Sequence, residues 1–98
     1  MLKGGIGIDV SKKIQKLADK FKVLSNPIRI SILLCLLNGQ SNVTKIQDCL
    51  SIPQSTVSKH LGILKNAGVI EGERNGLEVI YSIVDDGVKN MILSLIEE

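Results

Sequence analysis

At 98 residues, with 44% apolar and 22% charged side chains, the chain suits one globular domain; it leaves no room for a second and is too apolar for global disorder. The only aromatic residues are Phe21 and Tyr81, so Leu, Ile and Val must build a modest core that would gain from dimerisation. The net charge of +2 conceals a split: residues 1–65 hold ten Lys/Arg against three acids, and residues 66–98 hold two against seven, so a polyanion is drawn to the first part and repelled from much of the second.

Residues 1–9 read as a flexible arm rich in glycine (Gly4, Gly5, Gly7), and residues 10–98 as one folded domain. The glycines are preceded by no strand and followed by no Gly-Lys-Ser/Thr, so they form no phosphate loop. The arm lacks the apolar region and cleavage site of a secretory leader. The longest apolar stretch, Ile30 to Leu37, is too short to span a bilayer. These features predict a cytoplasmic protein without membrane association, and its two cysteines are expected as reduced thiols.

The pattern turns helical at Asp9. Val10, Ile14, Leu17, Phe21 and Leu24 recur at spacings of three and four, and Asp9 or Ser11 can cap the helix. Asn26 and Pro27 then supply an N-cap and a first helical residue for a second helix, apolar nearly all round, that ends at Asn38-Gly39. Ser41 or Asn42 caps a short third helix with Val43, Ile46 and Leu50 on one face. Ser51-Ile52-Pro53 allows only a sharp turn, and a fourth helix runs from about Pro53 to Ala67, with Val57, Leu61 and Leu64 as its apolar stripe.

Beyond Gly68 the period changes. Val69–Arg74 and Leu77–Ile83 flank Asn75-Gly76, a strong hairpin signal. Asp85 or Asp86 caps a last helix whose stripe is Val88, Met91, Ile92, Leu95 and Ile96. The sum is a mainly α fold with a small β-hairpin (α+β): a winged helix-turn-helix of five helices and a two-stranded wing.

In that geometry the second helix of the pair enters the major groove. The fourth helix opens with Gln54, Ser55, Thr56, Ser58 and Lys59, short hydrogen-bonding groups and a charge, with no acid among them. Its N-terminus favours phosphate. Arg74, at the wing tip, can reach a minor groove or phosphate. A solvated amphipathic face is the blander reading of the same residues, although Ser and Thr are mediocre helix formers. His60 is open to two readings, a DNA contact or a residue hydrogen-bonded inside the domain.

The runs Leu24-Ser25-Asn26-Pro27-Ile28-Arg29-Ile30, Pro53 to Leu61 (Pro-Gln-Ser-Thr-Val-Ser-Lys-His-Leu), Leu64 to Ile70 and Tyr81-Ser82-Ile83 resemble the ArsR/SmtB family of bacterial repressors over residues 10–96. Asn42 to Ile46 and Gly76 to Tyr81 resemble its PagR-type subgroup, which lacks the metal-binding motifs. The resemblance implies repression by operator occupancy, and a homodimer joined through the first and last helices. The apolar stripe on the terminal helix points to the same dimer.

The family's metal box falls on Ser41-Asn42-Val43-Thr44, which carries no thiol, and its second site falls on the last helix, which offers Asp85, Asp86, Glu97 and Glu98 but no histidine. No metal site and no cofactor are therefore expected. A lone histidine without a nucleophile partner leaves an enzyme without a catalytic site. Two alternatives to the DNA-binding repressor stay open. One is a winged-helix protein-interaction module, favoured by Glu71, Glu73 and Glu78 near the wing. The other is a thiol-redox-responsive repressor using Cys35 and Cys49, whose competing reading is a pair of inert buried thiols.

Overall fold

The computed structural model describes residues 8–97, with side chains from Val10 onward. The elements are α1 (Ile8–Leu24), α2 (Pro27–Leu37), α3 (Val43–Leu50), α4 (Gln54–Asn66), β1 (Ile70–Asn75), β2 (Glu78–Ile83) and α5 (Asp86–Ile96). The expected arm lies outside the described residues except for its last two positions, which belong to α1. Asp9 and Ser11 fall inside the first turns of that helix.

The helix boundaries follow local chemistry. Asn26 accepts from the Ile28 and Arg29 N–H groups and Pro27 takes the first helical position. Asn42, rather than Ser41, caps α3 by accepting from the Lys45 N–H at 2.8 Å. Asp85, rather than Asp86, caps α5 by accepting from the Val88 N–H at 3.0 Å. Gly68, at φ 75°, turns the chain out of α4, a conformation that costs glycine least.

The hairpin is antiparallel, with Asn75 opposite Glu78. Its two-residue loop is therefore Gly76-Leu77, one position beyond the expected Asn75-Gly76 centre. Gly76 has φ 68°, and a type II′ turn places glycine at this first loop position. Leu77 is consequently left fully exposed. A Cβ at Gly72 would approach Val79 Cγ1 to 2.8 Å and Tyr81 Cε1 to 2.9 Å, so the ring of Tyr81 lies across a strand kept bare to receive it.

One core unites α2, α3, α4, the wing base and α5. Ile32, Leu33, Ile46, Val57, Leu61, Leu64, Val69 and Ile70 are fully buried, with Leu24, Leu36, Val88 and Ile92 around them. α1 enters this core only at its C-terminal end, through Leu24 and Val23. Its stripe of Val10, Ile14, Leu17 and Phe21 stays 43–52% exposed. The stripe of α5 divides: Val88 and Ile92 belong to the core, while Leu95 and Ile96 are 76% and 55% exposed. Lys20 Nζ lies 2.6 Å from Asp85 Oδ2, tying α1 to the start of α5. Among the described residues no helix is long and apolar enough to cross a membrane.

Cys35 and Cys49 lie together, joined as a disulfide between α2 and α3. Two separate reduced thiols were the expectation from the sequence. The packing of α3 on α2 instead brings the last turns of both helices together.

Candidate nucleic-acid interface

The turn between α3 and α4 fixes the presentation of α4. Ser51 adopts the left-handed conformation (φ 56°, ψ 44°) and its N–H donates to the Gln47 carbonyl at 2.8 Å. Pro53, extended at φ −60° and ψ 146°, is the N-cap of α4 and supplies no side-chain bond. The first N–H groups of α4 are thus free of a side-chain acceptor, and no acid lies in its first turn. The positive end of the helix dipole faces outward uncompensated.

Gln54, Ser55, Ser58 and Lys59 are exposed, and Thr56 is half-buried at their edge. Among the described residues none of these five side chains takes part in an intramolecular hydrogen bond or ion pair. Val57, Leu61 and Leu64 hold the opposite face in the core. Arg74 is exposed on β1 next to the hairpin loop.

His60 sits apart from that face. It is 8% exposed, and its Nδ1 accepts from Arg29 Nη1 at 3.1 Å. Arg29 Nε also donates to the Val23 carbonyl at 2.6 Å. One guanidinium thus ties α2 to the end of α1 and to α4. Burial, then the positive charges of Arg29 and Lys59, hold the His60 imidazole below its ordinary pKa of 6.5. His60 supports the exposed face from behind. The spacing Val57, His60, Leu61, Leu64 carries the signal, since His60 lies on the helix's inward stripe.

The wing is stitched to the start of α3. The Ser41 N–H donates to the Tyr81 carbonyl at 3.1 Å and the Tyr81 N–H to the Ser41 carbonyl at 2.8 Å. Asn42 Nδ2 donates to Glu78 Oε1 at 3.0 Å. Lys45 is exposed in the first turn of α3. Glu71 and Glu73 are also exposed on the wing.

The positions to which the resemblance assigns metal ligands carry other chemistry. Ser41 and Asn42 are engaged with the wing and the α3 cap, and Asp85 with Val88 and Lys20. Among the described residues no group of three or more His, Cys, Asp or Glu converges. These residues do not fit either of the family's metal sites.

The family described as bacterial regulatory protein, arsR family, matches residues 26–71, from the cap of α2 into β1. The HTH-type transcriptional repressor SmtB of Mycobacterium tuberculosis is 43% identical over 78 residues, 80% of this chain and 58% of SmtB. The chain therefore spans little more than half the length of that relative. The transcriptional repressor PagR of Bacillus anthracis is 38% identical over 76% of each chain. Its crystal structure superposes with a TM-score of 0.80 over 87% of this chain and 98% of PagR, at 35% identity. The homodimeric winged helix-turn-helix DNA-binding domain of a possible ArsR-family regulator from Mycobacterium bovis gives a TM-score of 0.84 at 26% identity. That match covers 94% of this chain and 85% of the other. On this architecture and these likenesses, the chain belongs to the ArsR/SmtB family of winged helix-turn-helix transcriptional regulators.

Proposed function

We propose that the protein is a cytoplasmic, homodimeric repressor that binds a palindromic operator in double-stranded DNA, with α4 in the major groove. One observation carries the reading: Gln54, Ser55, Ser58 and Lys59 stand exposed and unengaged at the uncompensated N-terminus of α4. Thr56 flanks this set, and Arg74 of the wing reaches DNA beside it. The similarity to repressors and to a DNA-binding domain supports the same reading.

The dimer joins through α1 and α5. An apolar groove of about 400 Å³ is lined by Phe21, Leu24, Ile30, Met91, Leu95 and Ile96, among others, and the outer stripe of α1 continues it. Water against so much apolar surface is unfavourable, and a second copy of the same surface covers it symmetrically. The M. bovis domain, itself homodimeric, supports a dimer. Two recognition helices then reach successive major grooves about 34 Å apart.

Operator binding is independent of transition metals, because Ser41 to Thr44 offer no thiol and the last helix no histidine, while His60 is engaged with Arg29. Titrating labelled duplex at fixed salt with chelator or zinc checks this. A tenfold shift, about 1.4 kcal/mol of coupling, together with stoichiometric zinc overturns it.

The exposed Glu71 and Glu73 of the wing favour a second reading, a protein-interaction module. Binding to random duplex at two salt concentrations separates the two. Phosphate contacts release counterions and make affinity fall steeply with salt, whereas a protein-docking module shows no binding at either concentration.

A further inference from the structure

Cys35 and Cys49 join α2 to α3 across a Cα–Cα distance of 6.6 Å, 14 positions apart. Their surroundings differ. Cys35 is buried beside the core residues of α2, and Cys49 is exposed near the end of α3. The pair has one interior sulfur and one that solutes can reach. The loop it closes contains the Asn38-Gly39 turn, the Ser41 pairing with Tyr81, and the Asn42 side chain that caps α3 and holds Glu78. The features that seat α3 and bind it to the wing lie inside this loop. α3 in turn packs against α4 through the buried Ile46.

In a cytoplasmic protein a disulfide is a transient, redox-responsive bond rather than a permanent staple. We propose that Cys35 and Cys49 are a reversible thiol pair that responds to a peroxide. Closing the bond fixes α3 against α2 and strengthens operator binding. This inference rests on the DNA-binding reading above.

The chemistry balances with hydrogen peroxide as oxidant. The reachable Cys49 thiolate attacks one peroxide oxygen, the O–O bond breaks, and Cys49 becomes a sulfenic acid as the hydroxide released takes up a proton to form water. The Cys35 thiolate then attacks the Cys49 sulfur, forming the S–S bond and releasing the sulfenic oxygen as a second water. Two thiols lose two electrons and the peroxide gains them. A dithiol reductant restores both thiols by exchange. The direction of the effect follows from preorganisation. With the bond closed, α3 and its cap are held where the face of α4 is open. With it broken, part of the binding energy goes to ordering α3.

The test uses the full chain and a duplex selected from random sequence by the protein itself. Peroxide should remove two hydrogens by intact mass, leave no free thiol, and produce no cross-linked dimer on a non-reducing gel. The oxidised protein should bind the duplex at least about threefold more tightly than the dithiol-reduced protein at the same salt. C49S, altered at an exposed position and checked by its melting curve, should bind like the reduced protein with or without peroxide. A smaller difference, a weaker oxidised form, thiols that stay free, or a bond between subunits overturns the inference while leaving the DNA reading intact. Absence of duplex binding in both redox states overturns both.

Discussion

Arg29 Nη1 donates to His60 Nδ1 at 3.1 Å, and because a guanidinium can only donate, the imidazole is neutral with its proton on Nε2. This relationship makes stability depend on pH. Burial and the charges of Arg29 and Lys59 lower the folded-state pKa below 6.5, so the unfolded chain takes up a proton more readily. The contribution is complete above the ordinary value of 6.5 and is lost as pH falls through the lower folded value. Urea midpoints should drop between pH 7.5 and pH 5. H60Q, which cannot take up the proton, should show a flatter profile over this range, and an unchanged slope would reject the assignment.

Asp85 gives a second, more acidic dependence. The hydrogen bond from Lys20, followed by that from the Val88 N–H, holds its carboxyl below the ordinary 3.8. Its contribution is present above 3.8 and is lost as pH falls below that value. D85A removes a helix cap and should cost about 1 kcal/mol at neutral pH. K20A should cost less, about 0.5 kcal/mol or under, because the lysine is partly exposed and its charge is screened. Thermal melts of both variants at one salt concentration check the order.

On α4, S55A should weaken binding to the selected duplex by about 1–3 kcal/mol for a lost base contact, with an unchanged melting temperature. T56A should have a smaller effect on binding, since Thr56 is half-buried at the edge of the face. K59A should weaken binding to all sequences alike and reduce the salt slope by about one phosphate contact. Unchanged affinity in S55A and K59A would remove α4 from the interface.

The divided stripe of α5 lets the proposed dimer be tested apart from folding. L95D places a charge on an exposed position and should yield a folded monomer in sedimentation at micromolar concentration. I92D buries a charge in the core and should unfold the chain. A stable monomer for the unaltered chain at that concentration would reject the dimer.

Ser51 occupies the left-handed region, which penalises every residue with a Cβ. S51G should raise stability by about 1 kcal/mol, measured by urea unfolding, without altering the face of α4.

Most of the fold was legible because its punctuation is local. Asn26-Pro27, Asn42, Asp85 and Gly68 act on backbone groups within a few residues, and the sequence displays that range directly. The hairpin centre moved by one because pairing Asn75 with Glu78 gives Gly76 the loop position that needs positive φ. The division of the α5 stripe was hidden, since periodicity identifies an apolar face but not which body covers it. The cysteine pair was hidden for a related reason: the distance between two helices is a tertiary quantity. The orientation of His60 was legible in its spacing with Val57 and Leu61, but its polar chemistry left the inward position open. The exposure of Gln54, Ser55, Ser58 and Lys59 agrees with the face read from their order.

The two sides of α4 have separable tasks. Val57, His60, Leu61 and Leu64 anchor the helix, while Gln54, Ser55, Ser58 and Lys59 stand exposed, with no side-chain hydrogen bond or ion pair among the described residues. Mutation can therefore rewrite the outer letters with little effect on stability, because exposed substitutions away from caps and networks usually change it by no more than about 0.5 kcal/mol. If α4 reads DNA as proposed, a lineage carrying this scaffold can drift from one target sequence to another through intermediates that all fold. The scaffold's evolvability rests on the inner residues, which are far less free to change.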